Sequence, residues 1–227
     1  MRIDVISAVP KLLESPLNES ILKRAQKNKL VDLHVHDLRN YAKGKYRQVD
    51  DKPFGGGAGM VLKPEPLFTC IDELLSQRNY GEIIFLSPQG RKFNQKLANK
   101  LSLLENVLFI CGHYKGIDQR VIDLYVTMEL SIGDYVLTGG EIAAAVVIDS
   151  IIRLIPGVLG DCESALTDSF QIDSGFGAPV FTRPAIYKGM AVPEILLSGN
   201  HAEIYKWRTD MGEKKFNRVK RKKSNKK

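Results

Sequence analysis

Short β-rich runs alternate with segments of helical period along most of this chain, and that alternation limits the fold more than any other feature. "IDVISAV" reads as a strand, "SPLNESILKRAQKN" as a helix and "VDLHVHDL" as a strand of period two. The series continues with "PLFTCIDELLSQRN" (helix), "EIIFLSP" (buried strand), "NQKLANKLSLLE" (helix), "NVLFICG" (buried strand), "DQRVIDLYV" (helix) and "VTMELSIG" (strand). A long helical run then starts at Glu141. Strands and helices in this order predict an α/β fold with a largely parallel sheet. His34 and His36 share one face of their strand; with no third ligand nearby they read as plain strand histidines rather than a metal pair.

From Ser164 the texture changes to "DSFQIDSGFGAPVFTRP", rich in Gly, Pro and Asp, which reads as a linker. Farther on, Asn200 with Glu203 three residues later forms an N-cap and capping-box pattern ahead of a short helix. The expected organisation is a body over 1–160, a linker over 161–175, a small helical unit over 176–211 and a disordered basic tail over 212–227. There is no internal repeat.

The formal net charge of +7 belongs to that tail. The last seventeen residues of the chain hold nine Lys or Arg and one Glu, which leaves 24 basic and 25 acidic residues in the preceding 210. A basic tail can meet phosphates or merely solubilise, so it favours nucleic acid only weakly. The longest apolar run, Ala143 to Ile148, falls well short of the ~20 residues of a membrane span. The start, "MRIDVISAVP", alternates like a strand and has no signal-peptide core. Cys70, Cys111 and Cys162 form no C-x-x-C pair. They read as small buried hydrophobes, and the expected location is cytoplasmic.

In an open α/β sheet, ligands bind beyond the carboxyl ends of the strands. Three such loops stand out: "LSPQG", "CGHYKGID" and "GDYVLTGGE". Each has Gly or Pro and few long side chains, so main-chain N–H and C=O groups can approach a flat polar ligand. "GDYVLTGGE" is neither a G-x-G-x-x-G nor a phosphate-binding loop. A fourth stretch, "VDDKPFGGGAGM", packs four glycines and two aspartates; it suits either a phosphate contact or a flexible surface loop.

These stretches, with "DSIIRLIPGVLG", "DSF", "TRP" and "LLSGNHAEI", lie in one order from Val49 to Arg208. In that order the chain resembles the bacterial tRNA (guanine-N1)-methyltransferases, the TrmD family of the SPOUT class. The resemblance implies a SPOUT-type trefoil-knotted sheet flanked by helices, with a small helical C-terminal domain; nothing in composition or periodicity points to the knot. It also implies S-adenosylmethionine as methyl donor, and as acceptor N1 of guanosine 37, just 3′ of the tRNA anticodon. A homodimer with the active site at the subunit interface is implied as well.

Site residues follow from the same resemblance. Donor binding maps onto Leu86, Ser87 and Pro88, onto Gly112 and Tyr114, and onto Ile132, Gly133, Asp134, Tyr135, Val136, Leu137, Gly139 and Gly140. Contacts with tRNA map onto Asp50, Gly55, Gly56, Gly57, Arg183, Asn200 and His201. Asp168 matches the family's general base and Arg153 its guanine-stabilising arginine. The chemistry agrees: N1 of guanine carries a proton and is a poor nucleophile, so transfer needs a base and a cation for charge building toward O6. The plainer alternatives are an Asp168 that caps a turn and an Arg153 paired with Asp149 one helical turn earlier. Asp50 and Asp51 leave room for Mg²⁺, without any metal-specific spacing.

Where many members read G-R-Y-E-G, this chain reads "GHYKG", with Lys115 in place of a glutamate. A lysine beside a cationic donor is unhelpful unless it points away or pairs with Asp118 or the donor's carboxylate. The rival readings are a SPOUT methyltransferase acting on another RNA target and a non-catalytic RNA-binding protein. A role for Asp168 in removing a proton favours a base over a ribose hydroxyl as the target.

Overall fold

The structure, a computed structural model, describes residues 1–160, 169–170 and 176–224. The chain divides into two compact units, Met1–Gly160 and Asp161–Lys227.

The first unit is built on five strands: β1 (Arg2–Ser7), β2 (Asp32–Asp37), β5 (Glu82–Lys92), β6 (Asn106–Cys111) and β7 (Met128–Ser131). They lie in the order β2-β1-β6-β5-β7, every pairing parallel. Parallel strands need crossovers, and helical segments supply them: α1 (Glu14–Leu17), α2 (Ser20–Lys27), α3 (Pro64–Gln77), α4 (Gln95–Leu101) and α5 (Gln119–Tyr125), while α6 (Glu141–Ile152) follows the last strand, β7. Side chains alternate across each strand, so the core splits in two. Ile3, Val5, Ile84, Leu86, Val107 and Phe109 pack with α1, α2, α4 and α6. Ile6, Ile83, Phe85, Leu108 and Ile110 pack with α3 and α5. Central β6 has every side chain from Val107 to Cys111 buried, and each large one contributes about 1.5–3 kcal/mol.

Two elements differ from expectation. The helix read over "SPLNESILKRAQKN" is broken between α1 and α2, where Asn18 Nδ2 donates to the Glu14 carbonyl at 2.8 Å and Ser20 takes φ 53°. Asn and Ser offer the main chain local bonds that compete with the helix. Strand β5 runs past "LSP" to Lys92, because Leu86 and Arg91 both pair with Leu130 and the residues between bulge out of register. A side chain at Gly90 would collide with the main chain of Glu129 and Leu130, so only glycine lets the bulge lie this close to β7.

At the opposite end of the sheet, Asp4 in β1 is wholly buried. Its carboxylate accepts from Arg2, from His36 Nε2 (2.7 Å) and from the Tyr80 hydroxyl (2.8 Å). His34 Nε2 contacts Asp32 instead, at 2.6 Å. Both strand histidines are thus engaged with carboxylates. Strands β3 (Asp50–Asp51) and β4 (Val61–Leu62) form a two-residue antiparallel ladder at the base of the glycine loop.

In the second unit, β8 (Ile186–Tyr187) and β9 (Met190–Ala191) pair antiparallel ahead of a C-terminal helix, His201–Ser224. Asn200 Oδ1 accepts from Glu203 N at 3.3 Å, the cap that the capping-box pattern predicts. The helix does not stop near 211: it carries the basic residues to Ser224, so over 212–224 the tail is helical rather than disordered. Lys and Arg are good helix formers and suit a helix C-terminus, and Phe216 stacks edge-on against Phe176 at 5.4 Å. Of the predicted linker, Ser169 and Phe170 are described: Gly177 N donates to Ser169 Oγ at 2.8 Å and Phe170 packs on Phe176.

Candidate active site

Three stretches meet beyond the carboxyl ends of β5, β6 and β7: the bulge at Ser87–Gly90, the turn from Gly112 to Gln119, and the loop from Ser131 to Gly140. Together they enclose a cleft of about 700 Å³. That volume suits a small-molecule ligand.

The third loop is held by its own main chain. Ser131 Oγ accepts from Gly133 N at 3.2 Å, and Gly140 N donates to the Gly112 carbonyl at 2.8 Å. A side-chain carbon on Gly140 would lie 2.9 Å from Cys111 Cα, so glycine is what allows the loop to rest on β6. Between these anchors Tyr135, Val136 and Leu137 are exposed, Val136 by 82%. An exposed apolar rim of this kind marks a surface meant to be covered. Tyr114, on the facing turn, sits at φ 59°, a conformation costly for a bulky residue, with its ring edge-on to His113 at 4.6 Å.

Twelve of the thirteen residues expected to hold the donor line this one cleft: Leu86, Ser87, Pro88, Gly112, Tyr114, Ile132, Gly133, Tyr135, Val136, Leu137, Gly139 and Gly140. Asp134 does not; its exposed carboxylate pairs with Lys92. Gln89, Gln119, Glu129 and His113 also line the cleft, none of them singled out in sequence. Their signal was weak, since isolated polar residues beside turns are ordinary.

Lys115 lines the cleft as well, and its side-chain carbons lie across Gly59 of the glycine loop. Lys115 N donates to the Met60 carbonyl at 3.0 Å, which ties the two loops together. Asp118 is engaged elsewhere: it caps α5 and accepts from Arg120 Nε at 2.8 Å, and that hydrogen bond holds its carboxyl below the usual range.

The residues expected to meet tRNA fall in both units. Asp50 sits in the β3–β4 ladder, and Gly55, Gly56 and Gly57 are exposed at positive φ with open space around them. Arg183, Asn200 and His201 are exposed in the second unit, where Asn200 spends its side chain on the helix cap. Arg153 is half-buried and closes α6, at the end away from Glu141. Asp168 lies outside the described residues. Among the described residues, no group of three or more His, Cys, Asp or Glu is placed to hold a metal ion. No helix there is long and apolar enough to cross a membrane.

Fold and cleft define an α/β protein with a parallel sheet and a glycine-rich, apolar-rimmed ligand site at its strand ends. The chain belongs to the tRNA (guanine-1)-methyltransferase TrmD family, whose model matches residues 1–225. It is 59% identical over 208 residues to a tRNA (guanine-N(1)-)-methyltransferase of Christiangramia forsetii, covering 92% of each chain. It is 56% identical to the protein of that name in Bacteroides thetaiotaomicron, over 91% of this chain and 92% of the relative. For that of Chlorobaculum tepidum the identity is 54%, over 92% and 91%.

Proposed function

We propose that this chain transfers a methyl group from S-adenosylmethionine to N1 of guanosine 37 in tRNA. The observation that carries the reading is the convergence of twelve expected donor residues on one cleft, in a chain of this family. The cleft fits such a donor: apolar side chains of Ile132, Val136 and Leu137 for a ring, main-chain groups near Gly112, Gly139 and Gly140 for its polar edge, and sufficient volume. When bound, the donor supplies an electrophilic methyl carbon on a sulfonium.

Asp168 takes the proton from guanine N1 as that nitrogen bonds to the methyl carbon, and the electrons of the broken C–S bond stay on sulfur. Arg153 faces the charge that builds toward O6. In one chain Arg153 is ten residues along α6 from Ala143, which lines the cleft, about 15 Å at the helical rise. That span supports a homodimer in which the cleft of one subunit works with Arg153 of the other. The knotted path, a cytoplasmic location and tRNA contacts from Asp50, Gly55, Gly56, Gly57, Arg183, Asn200 and His201 belong to the same proposal.

The test is methyl transfer to tRNAs bearing G or A at position 37, with Asp168→Asn beside the wild type. Transfer to G alone, lost in the variant, is expected. Transfer to both tRNAs, or full activity without Asp168, overturns the reading.

A further inference from the structure

Glu141 is the buried polar residue of an otherwise apolar-cored α6, with 1% of its side chain exposed. Its Oε1 accepts from Ser7 Oγ at 2.7 Å, and Ser7 Oγ in turn accepts from Val9 N at 2.9 Å. Its Oε2 has no hydrogen-bond partner among the described residues. The nearest base is His113, whose Nδ1 is 4.0 Å away and is likewise buried and unpartnered. Two buried polar atoms left unsatisfied at such a distance are costly, and each is the other's natural complement.

Gly139 lies over the gap between them. A side-chain carbon there would collide with Glu141 Oε2 and lie 2.6 Å from His113 Nδ1. Gly139 also forms an antiparallel bridge with His113. The main chain of the cleft's third loop therefore rests directly on this pair. Loose pairs at ligand-free sites commonly shorten when the ligand seats.

We propose that His113 and Glu141 are positioning residues: an imidazolium–carboxylate pair beneath Gly139 that holds the Gly133–Gly140 loop in its donor-binding position. This rests on reading the cleft as a donor site. The pair needs the proton on His113, since a neutral ring leaves the buried carboxylate without a countercharge. The other groups facing it are few. From β1 comes the Ser7 hydroxyl; from β6 comes the Cys111 thiol, which burial and then the Glu141 charge push well up, so that it stays neutral. From the same turn come Tyr114, edge-on to the ring, and Lys115, whose stem lies over Gly59. Donor affinity thus depends on the charge of the ring and weakens once that charge is removed at higher pH.

The experiment measures S-adenosylmethionine affinity by calorimetry between about pH 6 and pH 9, the span in which an imidazole titrates. It compares wild type, Glu141→Gln and His113→Arg; the guanidinium of the last keeps its charge throughout. Expected is a weakening of roughly tenfold with rising pH in the wild type, the scale of one hydrogen bond to a charged group. That slope should be absent from both variants, with His113→Arg retaining tight binding. A flat wild-type profile, or an undiminished slope in His113→Arg, overturns the proposal. Hydrogen exchange of the Gly133–Gly140 amides in the ligand-free protein gives the second readout. Protection should fall with pH in the wild type after correction for intrinsic rates, and not in His113→Arg. If no protein binds the donor, the donor reading fails and the exchange data still decide the latch.

Discussion

His36 on β2 places its Nε2 2.7 Å from Oδ1 of Asp4, a carboxylate with no solvent exposure on the adjacent strand β1. Burial alone would raise the Asp4 pKa; hydrogen bonds from His36, Arg2 and Tyr80 overcome it and hold the group well below the usual carboxylate range. The same site pushes the Tyr80 hydroxyl up to about 12, chiefly by burial. Because the folded pKa is depressed, Asp4 stabilises the fold above its unfolded value of about 4 and loses that contribution as pH falls below it. Asp4→Asn should cost about 1–3 kcal/mol at neutral pH, since it removes the charged acceptor that the partly exposed Arg2 and His36 and the Tyr80 hydroxyl share. Urea unfolding of wild type and variant at pH 7 and pH 3 checks this, with the gap narrowing at the lower pH.

Gly140 offers a test of the cleft that needs no substrate. An added methyl would sit 2.9 Å from Cys111 Cα, a main-chain atom of the central strand that cannot yield. Gly140→Ala should therefore lower stability by about 1–3 kcal/mol, the usual cost of overpacking, and weaken donor binding by shifting the loop. Gly160→Ala, with nothing among the described residues within 4 Å, is the matched control and should leave both unchanged. Melting temperature and calorimetric affinity report the two effects separately.

The sheet and the cleft were legible in the sequence for different reasons. Runs such as "NVLFICG" are apolar on both faces, which among short segments is the mark of a parallel strand, and β6 occupies the sheet centre accordingly. The loops that line the cleft were visible because glycine and proline punctuate them. Asp4, Ser7 and Glu141 were not, since a lone acid or hydroxyl in an apolar run does not reveal its partner 32 or 134 positions away. The open question of Lys115 is narrowed by geometry: Asp118 is taken by Arg120, and the lysine stem is spread over Gly59. The length of the C-terminal helix escaped because a run of like charges reads as solvated chain, whereas Phe216 anchors it.

That helix presents Lys214, Lys215 and Arg218 on either side of its Phe216 contact. If they meet RNA phosphates, replacing all three by Gln should weaken tRNA binding uniformly across sequences. The slope of log affinity against log salt should become shallower by about 2, at roughly 0.7–0.9 for each phosphate no longer neutralised. Donor affinity should not change. A slope equal to the wild type's would assign the charge to solubility alone.

The separation along α6 yields a test of the shared active site. Ala143 lines the cleft at one end of the helix and Arg153 closes the other, about 15 Å away at the helical rise, so the proposed site pairs the cleft of one subunit with Arg153 of the other. Arg153→Ala should leave donor affinity intact while kcat falls by about 10²-fold or more, the scale for removing a group that stabilises developing charge. Gly140→Val, which blocks the cleft more severely than alanine, should abolish donor binding. Neither variant alone should reach more than about a hundredth of wild-type activity, yet a mixture allowed to exchange subunits should form dimers with one intact pairing of cleft and arginine. Random exchange makes half the dimers mixed, each with one working site of two, so recovery to roughly a quarter of wild-type activity is expected. A mixture no more active than its parts would place the cleft and Arg153 of each working site in the same subunit.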